Sequence, residues 1–201
     1  MWALPLPGFS RDEQVPATRQ AVLEALASGL GEARRTEPFV LLGHSTGGIL
    51  AHALAAHLEA QGAGPAGVVL ADVLDLSEGD DRDAIAPALI SAVLERDNVH
   101  VPVDDTRLTA MGAYLRLFQG WKPTVVDTPT LFLRASDSMA QETNGGRWQT
   151  SWPLEHVALD VPGNHFTMLE QHSDIAAGLV EDWLQKCSSL VINSDQHSNK
   201  R

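Results

Sequence analysis

The sequence predicts an α/β fold, a parallel sheet flanked by helices, from three observations. Short apolar runs recur at 39–42, 67–71 and 130–134, and the middle one is too uniformly apolar to face water. Stretches with apolar residues at helical spacing separate them, and such alternation implies parallel strands joined by right-handed crossovers. The first run also enters Gly43-His44-Ser45-Thr46-Gly47, a Gly-x-Ser-x-Gly turn, and an Ala/Leu-rich helical pattern follows at once.

In chain order, residues 2–8 read as the end of a short strand running into a Pro/Gly loop. Pro16 suits the first turn of a helix on which Val22, Leu23, Leu26 and Leu30 recur, closing near Gly29 or Gly31. Residues 38–42 form the next strand. The turn after it is sharp, so Gly43 and Gly47 are expected because a β-carbon at either position would collide with its neighbours. The helix from Ser45 turns Leu50, Leu54 and Leu58 inward and stops at Gly62. A buried strand at 67–71 then ends in Asp72.

From about 77 to 120 the alternation breaks. Ile85, Leu89, Ile90, Val93 and Leu94 mark one amphipathic helix, and Leu108, Met111, Leu115 and Phe118 mark another, with N-caps on offer at 104–106. Two successive helices after a strand's carboxyl end suggest a helical lid; the alternative is a pair packed beside the sheet. Residues 130–134 are the next strand, followed by a loop with Asp137, and 145–148 read as exposed or lid-facing. Residues 155–161 form the last strand, and His165 stands in the loop beyond it. Ser173 caps a closing helix whose Ile175, Leu179, Val180, Trp183 and Leu184 face inward. One domain over 1–187 with a disordered polar tail over 188–201 is expected.

Composition narrows the function. The 201 residues suffice for one substantial core, and 44% hydrophobic with 20% charged residues fits an ordinary globular chain. A net charge of −12 without a basic cluster argues against nucleic acid or an anionic membrane as partner. A single cysteine, Cys187, excludes a disulfide framework and fits a reducing, cytoplasmic setting. No signal peptide and no run of about 18 apolar residues is seen. No cofactor or metal is expected.

A serine hydroxyl needs an imidazole to take its proton and a carboxylate to orient that imidazole. Side chains at the carboxyl ends of parallel strands converge on one crevice. Ser45 stands at such an end, and the N–H of Thr46, first in the following helix, is an expected oxyanion donor. Of eight histidines, His165 alone occupies a loop after the last strand, whereas His44 reads as packing beside the serine. Two carboxylates suit the acid, Asp72 and Asp137, and spacing leaves both open; Asp160 lies inside a strand and reads as structural. The order Ser, Asp, His is that of the α/β-hydrolase fold.

Four motifs carry a resemblance. They are Ala-Leu-Pro-Leu-Pro-Gly at 3–8, Gly-His-Ser-Thr-Gly-Gly at 43–48, Gly-Val-Val-Leu-Ala-Asp-Val at 67–73 and Val-Pro-Gly-Asn-His-Phe-Thr-Met at 161–168. With a lid-like segment at 105–114, they make the chain similar to the terminal thioesterase domain of modular type I polyketide synthases. The resemblance spans roughly 1–185 and implies Ser45, Asp72 and His165 as the catalytic residues. It implies that a polyketide acyl chain arrives as a thioester on the phosphopantetheine of an acyl carrier protein. The chain passes to Ser45 and leaves by hydrolysis or macrolactonisation.

Three departures stand out. The family has one or two further strands before 2–8, and a loop there supplies a second oxyanion N–H, so the chain reads as N-terminally truncated with an open apolar sheet edge. Leu74 stands where relatives often carry tyrosine, and Asn164 where aspartate is usual. The alternatives are a general carboxylic ester hydrolase, or a catalytically impaired fragment lacking part of the oxyanion hole.

Overall fold

The computed structural model describes residues 2–31, 37–73, 104–138 and 150–198, with side chains as far as 187. The first expected lid helix, Leu74 and the 145–148 segment lie outside these residues. In chain order the elements are α1 (Arg19–Gly29), β1 (Val40–His44), α2 (Thr46–Glu59), β2 (Gly67–Ala71), α3 (Asp105–Leu117), β3 (Thr130–Ala135), β4 (Val157–Val161), α4 (Thr167–Glu170) and α5 (Ser173–Ser198). They fall into two compact units, one from residues 1–37 and 75–123, the other from 38–74 and 124–201.

The second unit holds the sheet, whose four strands run parallel in the order β1-β2-β3-β4. β2 is buried at every position, as its uninterrupted apolar run requires. Val69, Ala71, Leu131, Leu133 and Val161 share a core with Met168, Ala176 and Trp183. Full burial of each large side chain there contributes on the order of 1.5–3 kcal/mol. α2 packs on β1 and β2 and buries Leu50, Leu54 and Leu58; Gly62, at φ +70°, ends the turn after it. Among the described residues β1 is an outer strand, and its Leu42 is 53% exposed.

Several expectations need correction. Ile175 is exposed, and the inward position in the first turn of α5 belongs to Ala176. α5 runs as far as Ser198, beyond the position where the tail was expected to begin. Gly43 is crowded as expected: a Cβ there would lie 2.1 Å from the Gly47 carbonyl oxygen. Gly47 itself faces open space; the second crowded glycine is Gly48, where a Cβ would lie 2.1 Å from Val73 Cγ2.

In the first unit, α1 begins at Arg19 because the Thr18 hydroxyl accepts the Ala21 N–H at 3.1 Å, which leaves Pro16 outside the helix. Residues 2–6 pair in no strand; Pro5 and Pro7 have no N–H to give a ladder. α3 is capped by Asp104, which accepts the Arg107 N–H at 2.9 Å. Its buried face is Ala110, Tyr114 and Phe118, while Leu108 and Leu115 are exposed, contrary to expectation. Tyr114 decides this. Its hydroxyl donates to the Pro7 carbonyl at 3.0 Å, its ring meets Phe9 at 5.6 Å, and burial pushes its pKa up to about 12.

Candidate active site

The sheet register brings the strand ends level. His44 lies opposite Ala71, Ala71 opposite Leu133, and Ala135 opposite Val161. Two bonds carry the ladder one residue further: Ser45 N–H donates to Ala71 O at 2.9 Å and Asp72 N–H to Leu133 O at 2.7 Å. Ser45 and Asp72 thus end adjacent strands, and both leave them with left-handed backbone, at φ +55° and +46°. A non-glycine residue held there is strained, on the order of 1–3 kcal/mol, and such strain concentrates at functional sites. Ser45 is the N-cap of α2 without a side-chain cap bond, and Thr46 N–H opens the first helical turn.

His165 is brought to Asp72 across 93 residues. Its Nδ1 lies 2.8 Å from Asp72 Oδ2, with both side chains almost wholly buried. A carboxylate only accepts, so Nδ1 carries the proton and the lone pair resides on Nε2. Asp72 Oδ1 accepts two further bonds, from the Ala135 N–H at 3.1 Å and the Thr150 hydroxyl at 2.5 Å. Burial raises the Asp72 pKa, but these three donors outweigh it and hold the carboxyl below its usual range. Asp137, the other candidate acid, is exposed, and its N–H bonds Gly163 O at 2.9 Å. Asp160 pairs with Arg134 across β3 and β4 at 2.7 Å.

The loop carrying His165 is closed on itself. Asn164 Oδ1 accepts the N–H groups of Phe166 and Thr167, both at 3.1 Å, and the Thr167 hydroxyl accepts the Asn164 N–H at 2.8 Å. Asn164 and Thr167 thus cap the loop reciprocally, side-chain oxygen of each to backbone N–H of the other. Gly163, at φ +89°, is required beside it, since a Cβ would lie 2.4 Å from Thr167 Oγ1. Phe166 meets the His165 ring edge-on at 5.0 Å. His44 packs on the same ring with centroids 4.4 Å apart, and its Nε2 lies 2.8 Å from the His165 carbonyl oxygen. Among the described residues, no three His, Cys, Asp or Glu side chains are grouped to hold a metal ion.

The model of the thioesterase domain family matches residues 1–184. The chain belongs to the thioesterase domain family. As such a domain it is 41% identical over 190 residues to polyketide synthase GfsE of Streptomyces halstedii, covering 94% of this chain and 5% of that protein. It is 42% identical over 193 residues to the spectinabilin polyketide synthase system protein NorC of Streptomyces orinoci, covering 92% and 8%. It therefore spans under a tenth of the length of these relatives. Among solved structures the thioesterase resembles RedJ from the prodiginine pathway of Streptomyces coelicolor, at 25% identity and a TM-score of 0.61, over 87% of this chain and 75% of that one. The thioesterase domain that cyclises surfactin shares the fold, at 20% identity and a TM-score of 0.61, over 81% and 74%. The domain thus has the α/β-hydrolase fold, and no described helix is long and apolar enough to cross a membrane.

Sequence reasoning misses one residue of the candidate site, Thr150, and one contact of another, His44. Thr150 follows a stretch without periodicity, so nothing local marked it as a partner of Asp72. The motif puts His44 beside the serine, but nothing local in the sequence signals its bond to a residue 121 positions away.

Proposed function

We propose that this thioesterase domain releases a polyketide acyl chain from the phosphopantetheine of an acyl carrier protein through a Ser45 acyl-enzyme. The observation that carries the reading is the buried His165–Asp72 pair at 2.8 Å, with Ser45 strained at the neighbouring strand end. His165 Nε2 takes the Ser45 proton as Oγ attacks the thioester carbonyl. Asp72 fixes the tautomer and stabilises the imidazolium. Thr46 N–H donates to the oxyanion at the N-terminus of α2, a donation worth about 3–4 kcal/mol in related sites. Collapse expels the thiolate, to which the imidazolium returns its proton. His165 then activates water or a hydroxyl of the acyl chain itself, giving an acid or a macrolactone.

The relatives in polyketide synthases support the carrier-bound substrate. The test is thiol release from an acyl N-acetylcysteamine thioester. The wild-type chain turns over and Ser45→Ala does not; equal turnover by the variant refutes the serine mechanism.

A further inference from the structure

We infer that His44 is a positioning residue, whose Nε2–H holds the main chain of His165 and thereby fixes the imidazole against the nucleophile turn. This rests on the proposed roles of Ser45 and His165.

Three observations lead there. His44 is the last residue of β1 and directly precedes Ser45, so whatever it grips is fixed relative to the serine backbone. Its Nε2 lies 2.8 Å from the His165 carbonyl oxygen. A carbonyl only accepts, so His44 is the donor and is in the Nε2–H tautomer. Its ring also covers one face of the His165 imidazole, with centroids 4.4 Å apart and planes 34° apart. Asp72 then holds Nδ1, Phe166 stands at the ring's edge, and His44 covers a face and grips the backbone.

The arrangement needs histidine rather than any flat ring. Phenylalanine would keep the face contact and lose the donor. A charged ring would repel the imidazolium that forms on His165 during turnover. Burial and the neighbouring His165 hold the His44 pKa down at about 4, against the opposing pull of its bond to His165 O, Asp72 and Glu170. His44 therefore stays neutral while His165 takes and returns its proton. The local cap of Asn164 and Thr167 shapes the histidine loop, and the His44 bond ties that loop to the opposite end of the site.

The test uses His44→Phe and His44→Gln in the full chain, with two readouts. The first is kinetic. A misplaced base lowers kcat by about 10- to 100-fold while KM changes less than about twofold in His44→Phe. His44→Gln, whose amide can still donate, recovers to within about fivefold of wild type. The second readout needs no turnover. In wild type, 15N shifts assign His44 as neutral Nε2–H, and the His165 Nδ1–H proton gives a sharp downfield resonance. In His44→Phe that resonance broadens or disappears while the fold is retained. An Nδ1–H tautomer at His44 in the wild type, or an unchanged kcat and resonance in a folded His44→Phe, overturns the inference. Ser45→Ala separates the two claims. If it retains turnover, the serine mechanism fails, and the resonance still decides the role of His44.

Discussion

The Thr150 hydroxyl donates to Asp72 Oδ1 at 2.5 Å, on the oxygen His165 does not use. The two oxygens of one buried carboxylate are thus divided between anchoring and service. Oδ1 is held by Thr150 and the Ala135 N–H, which leaves Oδ2 aimed at the imidazole. Removing the hydroxyl in Thr150→Val leaves a buried charge short of one donor, worth about 1.5–3 kcal/mol. For a chain of this size that corresponds to a fall in Tm of about 3–12 °C. With one donor fewer, the Asp72 carboxylate also draws harder on the imidazolium of His165, so the acid limb of the kcat/KM profile moves to higher pH. Calorimetry and a pH–rate profile check both, and an unmoved limb contradicts the anchoring role.

The pairing of His165 with Asp72 rather than Asp137 predicts unequal variants. Asp72→Asn loses the tautomer control and lowers kcat by about 10⁴-fold. Asp137→Asn, at an exposed position, changes kcat by less than about twofold. Thioester hydrolysis measured on both proteins decides between them. A larger loss in Asp137→Asn contradicts the geometry.

Crowding at the turn predicts that Gly48 and Gly47 respond differently to the same methyl. Gly48→Ala drives a Cβ into Val73 and costs about 1–3 kcal/mol. Gly47→Ala meets open space and, in a helix, is neutral or stabilising by up to about 1 kcal/mol. Urea melts measure both, and Gly48→Ala combined with Val73→Ala recovers part of the loss if the clash is the cause.

Two buried imidazoles set a pH dependence of stability. Burial holds the pKa of His44 at about 4 and lowers that of His52, whereas both titrate near 6.5 when unfolded. Between these values the unfolded chain binds more protons, so stability falls as pH drops from about 6.5 toward 4. Asp72 acts lower: its stabilisation is present above 3.8 and is lost as pH falls through its depressed folded value. Melting temperatures across this range should decline in wild type and decline less in His44→Gln. An identical decline in the variant removes His44 from the account.

What the sequence disclosed and concealed follows range of interaction. The nucleophile turn was legible because strand, turn and helix are adjacent in the chain, and Gly43 is constrained by residues four and five positions away. The buried strand at β2 was legible from its own five residues. Spacing alone left Asp72 and Asp137 open and only the family resemblance pointed to Asp72, since the choice depends on where a loop 93 residues later delivers an imidazole. The face of α3 was misread because hydrophobicity favours Leu108 and Leu115, whereas a hydroxyl contact to Pro7 turns Tyr114 inward. Gly47 was misread because its role was inferred from the motif, and the neighbour that matters, Val73, lies beyond β2.

The most direct test of the central claim is mass spectrometry of the chain after brief exposure to an acyl N-acetylcysteamine thioester. The account predicts an acyl adduct on the peptide bearing Ser45, present in wild type and absent from Ser45→Ala and His165→Ala. Thioester turnover with no adduct on Ser45, or an equal adduct in His165→Ala, contradicts it.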